Sequence, residues 1–295
     1  MPKTQTWHWY LEQFGDAEQH HHAIDGCYFE GRSEYQQIAV LHSPVFGKML
    51  VIDGDTQSAQ ADERIYHESL VHPALAGAGD VKNVLILGGG EGATLREVLR
   101  CVDVERATMV DIDAAVIDLS KQYLPEWSQG AFDDPRGRVV AGDALAFMRE
   151  TGERYGVILS DLTEPLADSP SNPLFNDEVF ALIKSRLQEG GLYVLQASTA
   201  AVINAELHCK MARTLRRHYV YVVSFSAYVP AFDTEWAFLA CSDAVDLGTL
   251  AAERIDAYCR SLSGENFFYD AVTHRRLFAL PLYLRRMLAP GGDTF

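Results

Sequence analysis

From residue 81 onward, short apolar runs alternate with amphipathic stretches of helical length, and few architectures accommodate that order. The runs are Val84–Leu87, Ala107–Val110, Val139–Ala141, Val157–Leu159 and Leu192–Leu195, with Leu95–Arg100 and Ala114–Tyr123 among the stretches between them. Parallel strands need crossover connections, helices supply them, and the strands are then buried on both faces. The order therefore predicts an α/β fold with a Rossmann-like, doubly wound, mostly parallel sheet. Tyr219–Phe225 and Trp236–Ala240 follow as a closing antiparallel pair.

The residues before this region read differently. Tyr35–Val40 and Phe46–Ile52 alternate as strands, and Ser43-Pro44 and Asp53-Gly54 are turn signals, so this part predicts a small antiparallel β-unit. Asp62 stands where an N-cap would open a short helix carrying Ile65, Tyr66, Leu70 and Val71 and ending near Pro73. Ala76–Asp80 reads as a linker, which divides the chain into an N-terminal β-strand domain, 1–75, and a Rossmann-like domain, 76–295. The run His20-His21-His22 reads as a solvated turn.

Charge narrows the function. Lys and Arg number 25 against 41 Asp and Glu, a formal net charge of −16, which disfavours nucleic acid and an anionic membrane surface and suits a polycation. No stretch is apolar for the ~18 residues of a membrane span, and the N-terminus lacks a signal peptide's apolar core. The cysteines, 27, 101, 209, 241 and 259, are scattered without C-x-x-C spacing, as in a reduced, cytoplasmic protein without a zinc framework. His67-Glu68-Ser69-Leu70-Val71-His72 spaces its histidines one residue too widely for a helical zinc pair, so no metal site is expected. Neither a G-x-S-x-G elbow nor a G-x-x-x-x-G-K-[ST] phosphate loop is present.

The first strand of the alternating region runs into Gly88-Gly89-Gly90-Glu91-Gly92-Ala93. Glycines here permit a tight turn and let a ligand approach the backbone at a helix N-terminus. The loop fits a dinucleotide site or an adenosylmethionine-type site. Asp111, at the end of the next strand and roughly 20 residues on, is where a carboxylate would grip ribose hydroxyls. Glu91 favours the second ligand: its carboxylate would repel a pyrophosphate and attract an ammonium, which suits an adenosyl group with a cationic tail.

Acids recur at the following strand ends. Asp113 stands beside Asp111, Asp143 follows the third strand and Asp161 the fourth, with Glu164 just beyond. In an open parallel sheet, ligands bind in the crevice outside those ends, and acids gathered there would focus negative potential on a cation. Asp143 serves equally well as the cap of a helix starting at Ala144. An aspartate among other acids can hold an ammonium and accept its proton, because neighbouring negative charge raises its basicity. Asp161 is the candidate, and the Asp168–Pro173 segment beyond it resembles a semi-rigid lid.

Taken in order, these motifs resemble the polyamine aminopropyltransferases, the spermidine synthases and their relatives. The likeness spans Ser33–Gln36, Phe46–Lys48, Ile52–Gly54, Gln57-Ser58, Asp62-Glu63, Tyr66–Glu68, Gly88–Gly92, Asp111–Asp113, Gly142-Asp143 and Asp161–Pro165. Glu91 and Val229-Pro230-Ala231-Phe232 are similar to the thermospermine synthase branch. The resemblance implies an enzyme whose co-substrate is decarboxylated S-adenosylmethionine and which needs no other cofactor. It implies that Gln36, Gly88, Gly90, Glu91, Asp111, Asp143 and Ala144 bind this donor. Tyr66, His67, Glu91, Asp161 and Glu164 would bind the acceptor polyamine, with Asp161 also the catalytic proton acceptor. Glu164 stands where many members have Asp, and Asp168 where spermidine synthases usually have Pro, so the acceptor pocket is where this chain departs from the pattern. A homodimer or homotetramer is also implied. Two other readings are compatible with the same residues: a methyltransferase using intact S-adenosylmethionine, and a non-catalytic polyamine- or nucleoside-binding protein.

Overall fold

The computed structural model describes residues 7–14, 18–164 and 174–292. Strands β1 (His8–Gln13) and β2 (Gln19–Ile24) pair as an antiparallel hairpin. Strands β3 (Gly26–Arg32), β4 (Gln37–Ser43), β5 (Gly47–Ile52) and β6 (Asp55–Ala59) make a four-stranded antiparallel meander. The Asp53-Gly54 turn joins β5 to β6 with φ of 51° and 96°, the backbone a two-residue hairpin of this hand requires. Ile38, Val40, Leu50 and Ile52 form the meander's buried face and pack with Ala93, Val116, Leu124 and Trp127 of the region beyond.

The alternating region runs α1 (Glu63–Gly77), β7 (Asn83–Gly88), α2 (Ala93–Leu99), β8 (Arg106–Asp111), α3 (Ala114–Tyr123), α4 (Pro125–Ser128), β9 (Gly137–Ala141), α5 (Ala144–Glu150) and β10 (Tyr155–Asp161). It continues with α6 (Asp177–Arg186), β11 (Leu187–Thr199), α7 (Glu206–Leu215), β12 (Tyr221–Val229), β13 (Thr234–Ser242), α8 (Ala252–Ser261), α9 (Ala271–Phe278) and α10 (Leu282–Met287). Its seven strands form one sheet in the order β12-β13-β11-β10-β7-β8-β9. The pairs from β11 to β9 are parallel, and β13 and β12 close the other edge antiparallel. Both faces are covered. In β7, Val84 and Ile86 enter the core that contains Leu70 and Leu95, while Leu85 and Leu87 enter the one that contains Phe180 and Cys209. After β7 the chain adds β8 and β9 on one side and β10 on the other, so a crevice opens between the ends of β7 and β10.

Three local expectations are corrected. His20–His22 lies in β2 and not in a turn, and His22 is buried with its Nε2 3.3 Å from Glu12 Oε2. Pairing with β1 turns alternate side chains inward, which a local reading of three polar residues does not reveal. Asp62 precedes α1 but makes no cap, because its Oδ2 accepts a hydrogen bond from Ala231 N–H at 2.6 Å. Nor does α1 stop near Pro73, which lies inside the helix; the expected linker begins with the last helical residues, Ala76 and Gly77. An internal proline costs about 3 kcal/mol in an isolated helix. Here Leu75, Ala76 and Gly77 are buried, and a Cβ on Gly77 would sit 2.1 Å from Leu247 Cδ2, so packing holds the last turn in place.

Candidate active site

The ends of β7 and β10 are joined through the glycine loop. Gly88 has φ of +81°, and a Cβ there would lie 2.2 Å from the main-chain oxygen of Asp161. That oxygen accepts Gly89 N–H at 2.9 Å. One residue on, Gly90 N–H donates to Asp111 Oδ2 at 2.9 Å, and a Cβ on Gly90 would come within 2.7 Å of the same oxygen. Glycine is required at both positions because a strand end and a carboxylate lie against the loop backbone.

Above the loop lies a cavity of ≈ 930 Å³. Gln36, Gly88, Gly90, Glu91, Asp111, Asp143 and Ala144, the residues expected to bind a donor, all line it. So do Tyr66, Asp161 and Glu164 from the expected acceptor side. His67 does not: it is 1% exposed and stands behind Glu91, between that residue and Glu63. The expected lid, 168–173, lies outside the described residues, Asp168 with it.

Each acid is held differently. Asp111 Oδ1 accepts Asp113 N–H at 2.9 Å while Oδ2 takes Gly90, leaving one lone pair free on each oxygen. Burial raises its pKa to about 6, against the lowering effect of those two N–H groups. Asp113 caps α3 through Ala115 N–H and accepts Ser33 Oγ at 2.6 Å and Gln36 Nε2 at 2.9 Å, which fixes Gln36 at the cavity wall. Asp143 caps α5 through Leu145 N–H at 2.8 Å and also lines the cavity, so both sequence readings of it coexist.

Asp161 ends β10 with both oxygens facing hydroxyls: Tyr66 donates to Oδ1 at 2.7 Å and Thr94 to Oδ2 at 2.5 Å. Burial, then the charge of Asp161, pushes the Tyr66 phenol well above its ordinary pKa, so it remains a donor. Glu91 is 7% exposed; Ser58 donates to its Oε2 at 2.5 Å, and His67 Nε2 is 2.6 Å from its Oε1. Burial also raises the Glu164 pKa, opposed by a hydrogen bond from Ser198.

Sequence reasoning missed several participants. Thr94 registers only as an early residue of α2, and Ser58 only as part of a motif. Asp55 follows the Asp53-Gly54 turn and passes for turn chemistry, yet it lines the cavity and its pKa rises to about 6. Burial leads that rise, followed by the charges of Glu12, Glu164 and Asp53. Asp62 gains a use as well. Its bond to Ala231 anchors the turn Pro230–Phe232, and Phe232 and Trp236, ring centroids 5.0 Å apart, form an aromatic wall of the cavity. Among the described residues no group of three or more His, Cys, Asp or Glu side chains is placed to hold a metal ion.

A parallel sheet with a glycine loop, a ribose-height carboxylate and acids beyond it defines a class: Rossmann-like enzymes that take a nucleoside carrying a cationic tail. Residues 63–248 match the spermine/spermidine synthase domain and residues 8–60 the spermidine synthase tetramerisation domain. The chain belongs to the spermine/spermidine synthase family. A polyamine aminopropyltransferase of Sulfolobus acidocaldarius is 44% identical over 283 residues, covering 96% of this chain and 93% of the relative. One of Aeropyrum pernix is 44% identical over 272 residues, covering 91% and 82%. Among solved structures, a spermidine synthase in complex with the transition-state analogue AdoDATO aligns with a TM-score of 0.89 at 27% identity, covering 98% of this chain and 96% of that one. The Thermotoga maritima spermidine synthase aligns at 0.86 with 26% identity, covering 99% and 96%.

Proposed function

We propose that this protein transfers the aminopropyl group of decarboxylated S-adenosylmethionine to an amine of a polyamine, releasing 5′-methylthioadenosine. Spermidine is the favoured acceptor, giving thermospermine or spermine; putrescine, giving spermidine, is the other candidate. The observation that carries this reading is Asp161. It ends β10 beside the glycine loop, its two oxygens face Tyr66 and Thr94, and Glu164 and Asp55 line the same cavity.

The chemistry follows from the acids. An alkylammonium titrates near pH ~10.4, so the attacking amine must shed a proton, and Asp161 accepts it. The freed nitrogen attacks the carbon next to the sulfonium, the C–S bond breaks, and its electrons stay on sulfur as the neutral thioether. The sulfonium is a good leaving group, so the step needs no metal or other cofactor. Asp111, Gln36, Asp143 and Ala144 would hold the adenosine end, leaving Glu91 and Asp161 for the aminopropyl ammonium. Positioning then supplies most of the acceleration. Glu164 reaches one methylene further than Asp, and Asp55 lies within its electrostatic reach, which suits a longer acceptor with a further ammonium. One methylene is worth only ~1–3 kcal/mol of selectivity, so mixed acceptor use fits the same pocket. The match over residues 8–60 supports assembly as a homodimer or homotetramer, and the scattered cysteines a cytoplasmic setting.

Incubation with decarboxylated donor and putrescine, cadaverine or spermidine, with products separated, tests the reading. The expected result is methylthioadenosine in step with thermospermine or spermine. A tenfold or greater kcat/KM preference for putrescine would overturn the acceptor assignment, and no methylthioadenosine with any amine would overturn the reaction itself.

A further inference from the structure

Behind Glu91, outside the cavity, charged side chains of alternating sign stand in line. Arg96, on α2, grips Glu63 with both ends of its guanidinium, Nη1 to Oε1 at 3.0 Å and Nη2 to Oε2 at 2.9 Å. Its other donors reach Glu97 Oε1 at 2.8 Å and the Trp127 carbonyl at 2.6 Å. A guanidinium keeps its proton, so Glu63 is an anion. His67 comes next. Its Nδ1 lies 2.7 Å from the Glu63 carbonyl oxygen and 2.9 Å from Glu63 Oε2, and its Nε2 lies 2.6 Å from Glu91 Oε1.

Nδ1 is thus enclosed by two acceptors and must carry a hydrogen. Nε2 faces a carboxylate oxygen at hydrogen-bond distance, so one more proton lies between them, on the ring or on Glu91. The choice matters to the reaction. With the proton on His67, Glu91 presents a full negative charge to the cavity; with it on Oε1, Glu91 is neutral and has no pull on an ammonium.

We propose that Glu63, clamped by Arg96, is a positioning residue that keeps this proton on His67 and so keeps Glu91 ionised where the donor's ammonium would sit. The proposal rests on the aminopropyl-transfer reading above. The surroundings support it. Burial alone would lower the His67 pKa, but the charges and hydrogen bonds of Glu91 and Glu63 outweigh it and raise it well above the ordinary value. Asp62, preceding α1, acts on the same ring electrostatically, and the Tyr66 ring meets it edge-on with centroids 5.0 Å apart. Glu68, the next residue, is turned away onto the N–H groups of Phe267, Phe268 and Tyr269. Glu97 is occupied by Arg96, Arg100 and His72.

The test is Glu63→Gln. Without the anion behind the ring, His67 holds the shared proton less firmly, and Glu91 no longer faces a fully charged imidazolium. The KM for decarboxylated donor should then rise roughly tenfold or more, with kcat little changed. Raising the pH should lower it again, because the proton between His67 and Glu91 is then lost; the wild-type KM should change less over the same range. Binding of 5′-methylthioadenosine, which has no ammonium, should be equal in the two proteins. A donor KM that is raised but independent of pH, a donor KM that is unchanged, or an equal loss of methylthioadenosine binding would overturn the proposal. Should the variant not fold, ¹⁵N-histidine NMR of the wild-type protein decides: His67 should show two protonated ring nitrogens from about pH 6 to 9, and a lone-pair nitrogen at Nε2 would refute it. Absence of methylthioadenosine with every polyamine would count against the reaction, while the His67 nitrogen shifts would still report on the proton.

Discussion

In the proposed reaction, Asp161 concentrates the chemistry in one carboxylate. Its two oxygens already accept hydroxyl hydrogens from Tyr66 and Thr94, so it is aimed before any substrate arrives, and its remaining lone pairs face the cavity. Replacing it by Asn keeps the shape but removes both charge and basicity. Asp161→Asn should lower kcat by ~10²–10⁴ while methylthioadenosine binding stays measurable, as steady-state kinetics and calorimetry would show. A variant within threefold of wild type would remove Asp161 from the base role. Gly88 shapes the same point from beneath. In Gly88→Ala the new Cβ meets the Asp161 backbone at 2.2 Å, and a shift of the carboxylate should cost kcat/KM roughly 10²-fold or more.

Helix α1 links cavity and core within one element. Its first turns carry Glu63, Tyr66 and His67 towards the site, and Glu68 faces the opposite way, fully buried. The Glu68 carboxylate accepts N–H groups from Phe267, Phe268 and Tyr269, each at 2.8 Å, and so ties the segment before α9 to this helix. Glu68→Gln leaves an amide that cannot accept all three, and an unsatisfied buried N–H costs ~1–3 kcal/mol. The variant should unfold at lower denaturant concentration by about 2–4 kcal/mol, with kcat at 25 °C unchanged because none of these contacts reaches the cavity. A loss of activity in folded Glu68→Gln would contradict this separation of roles.

At the scale of the molecule, a net charge of −16 is gathered partly into one cleft, where the acids repel one another. Asp55 and Asp111, in the cavity, and Asp62, beside it, each have a pKa raised to about 6, with burial the leading cause. An acid raised in this way holds its proton longer in the folded protein than in the unfolded chain. Its contribution to stability is therefore full below about pH 4 and is lost as pH rises through about 6. Asp55→Asn should match wild type near pH 4 and be more stable at pH 8, by about 1–2 kcal/mol once solvent screening is allowed for. Spermidine should raise the wild-type Tm at pH 8 by more than that of the variant. Thermal melts across this range check both, and a variant less stable at pH 8 would show that Asp55 is not repelled in the cleft.

The fold class was legible because its signal is local and repeated. Each strand's burial on both faces leaves an unbroken apolar run, and each crossover leaves a helical period, so the sheet is written into the order of the elements. The cavity carboxylates Asp111, Asp143 and Asp161 were legible for the same reason, since a strand end has a fixed place in such a sheet. What lies between elements distant in sequence was not. The role of Asp62 depends on Ala231, the surroundings of Asp55 on Glu12 and Glu164, the setting of His67 on Glu91 and that of Glu63 on Arg96. Residues near one another in sequence constrain backbone conformation, whereas a carboxylate's charge state and orientation depend on whichever groups the folded chain brings within a few ångströms. Local order along the chain specifies the sheet, the loop and the strand-end acids; long-range packing settles which of those acids are paired, which line the cavity and which histidine stands behind its wall.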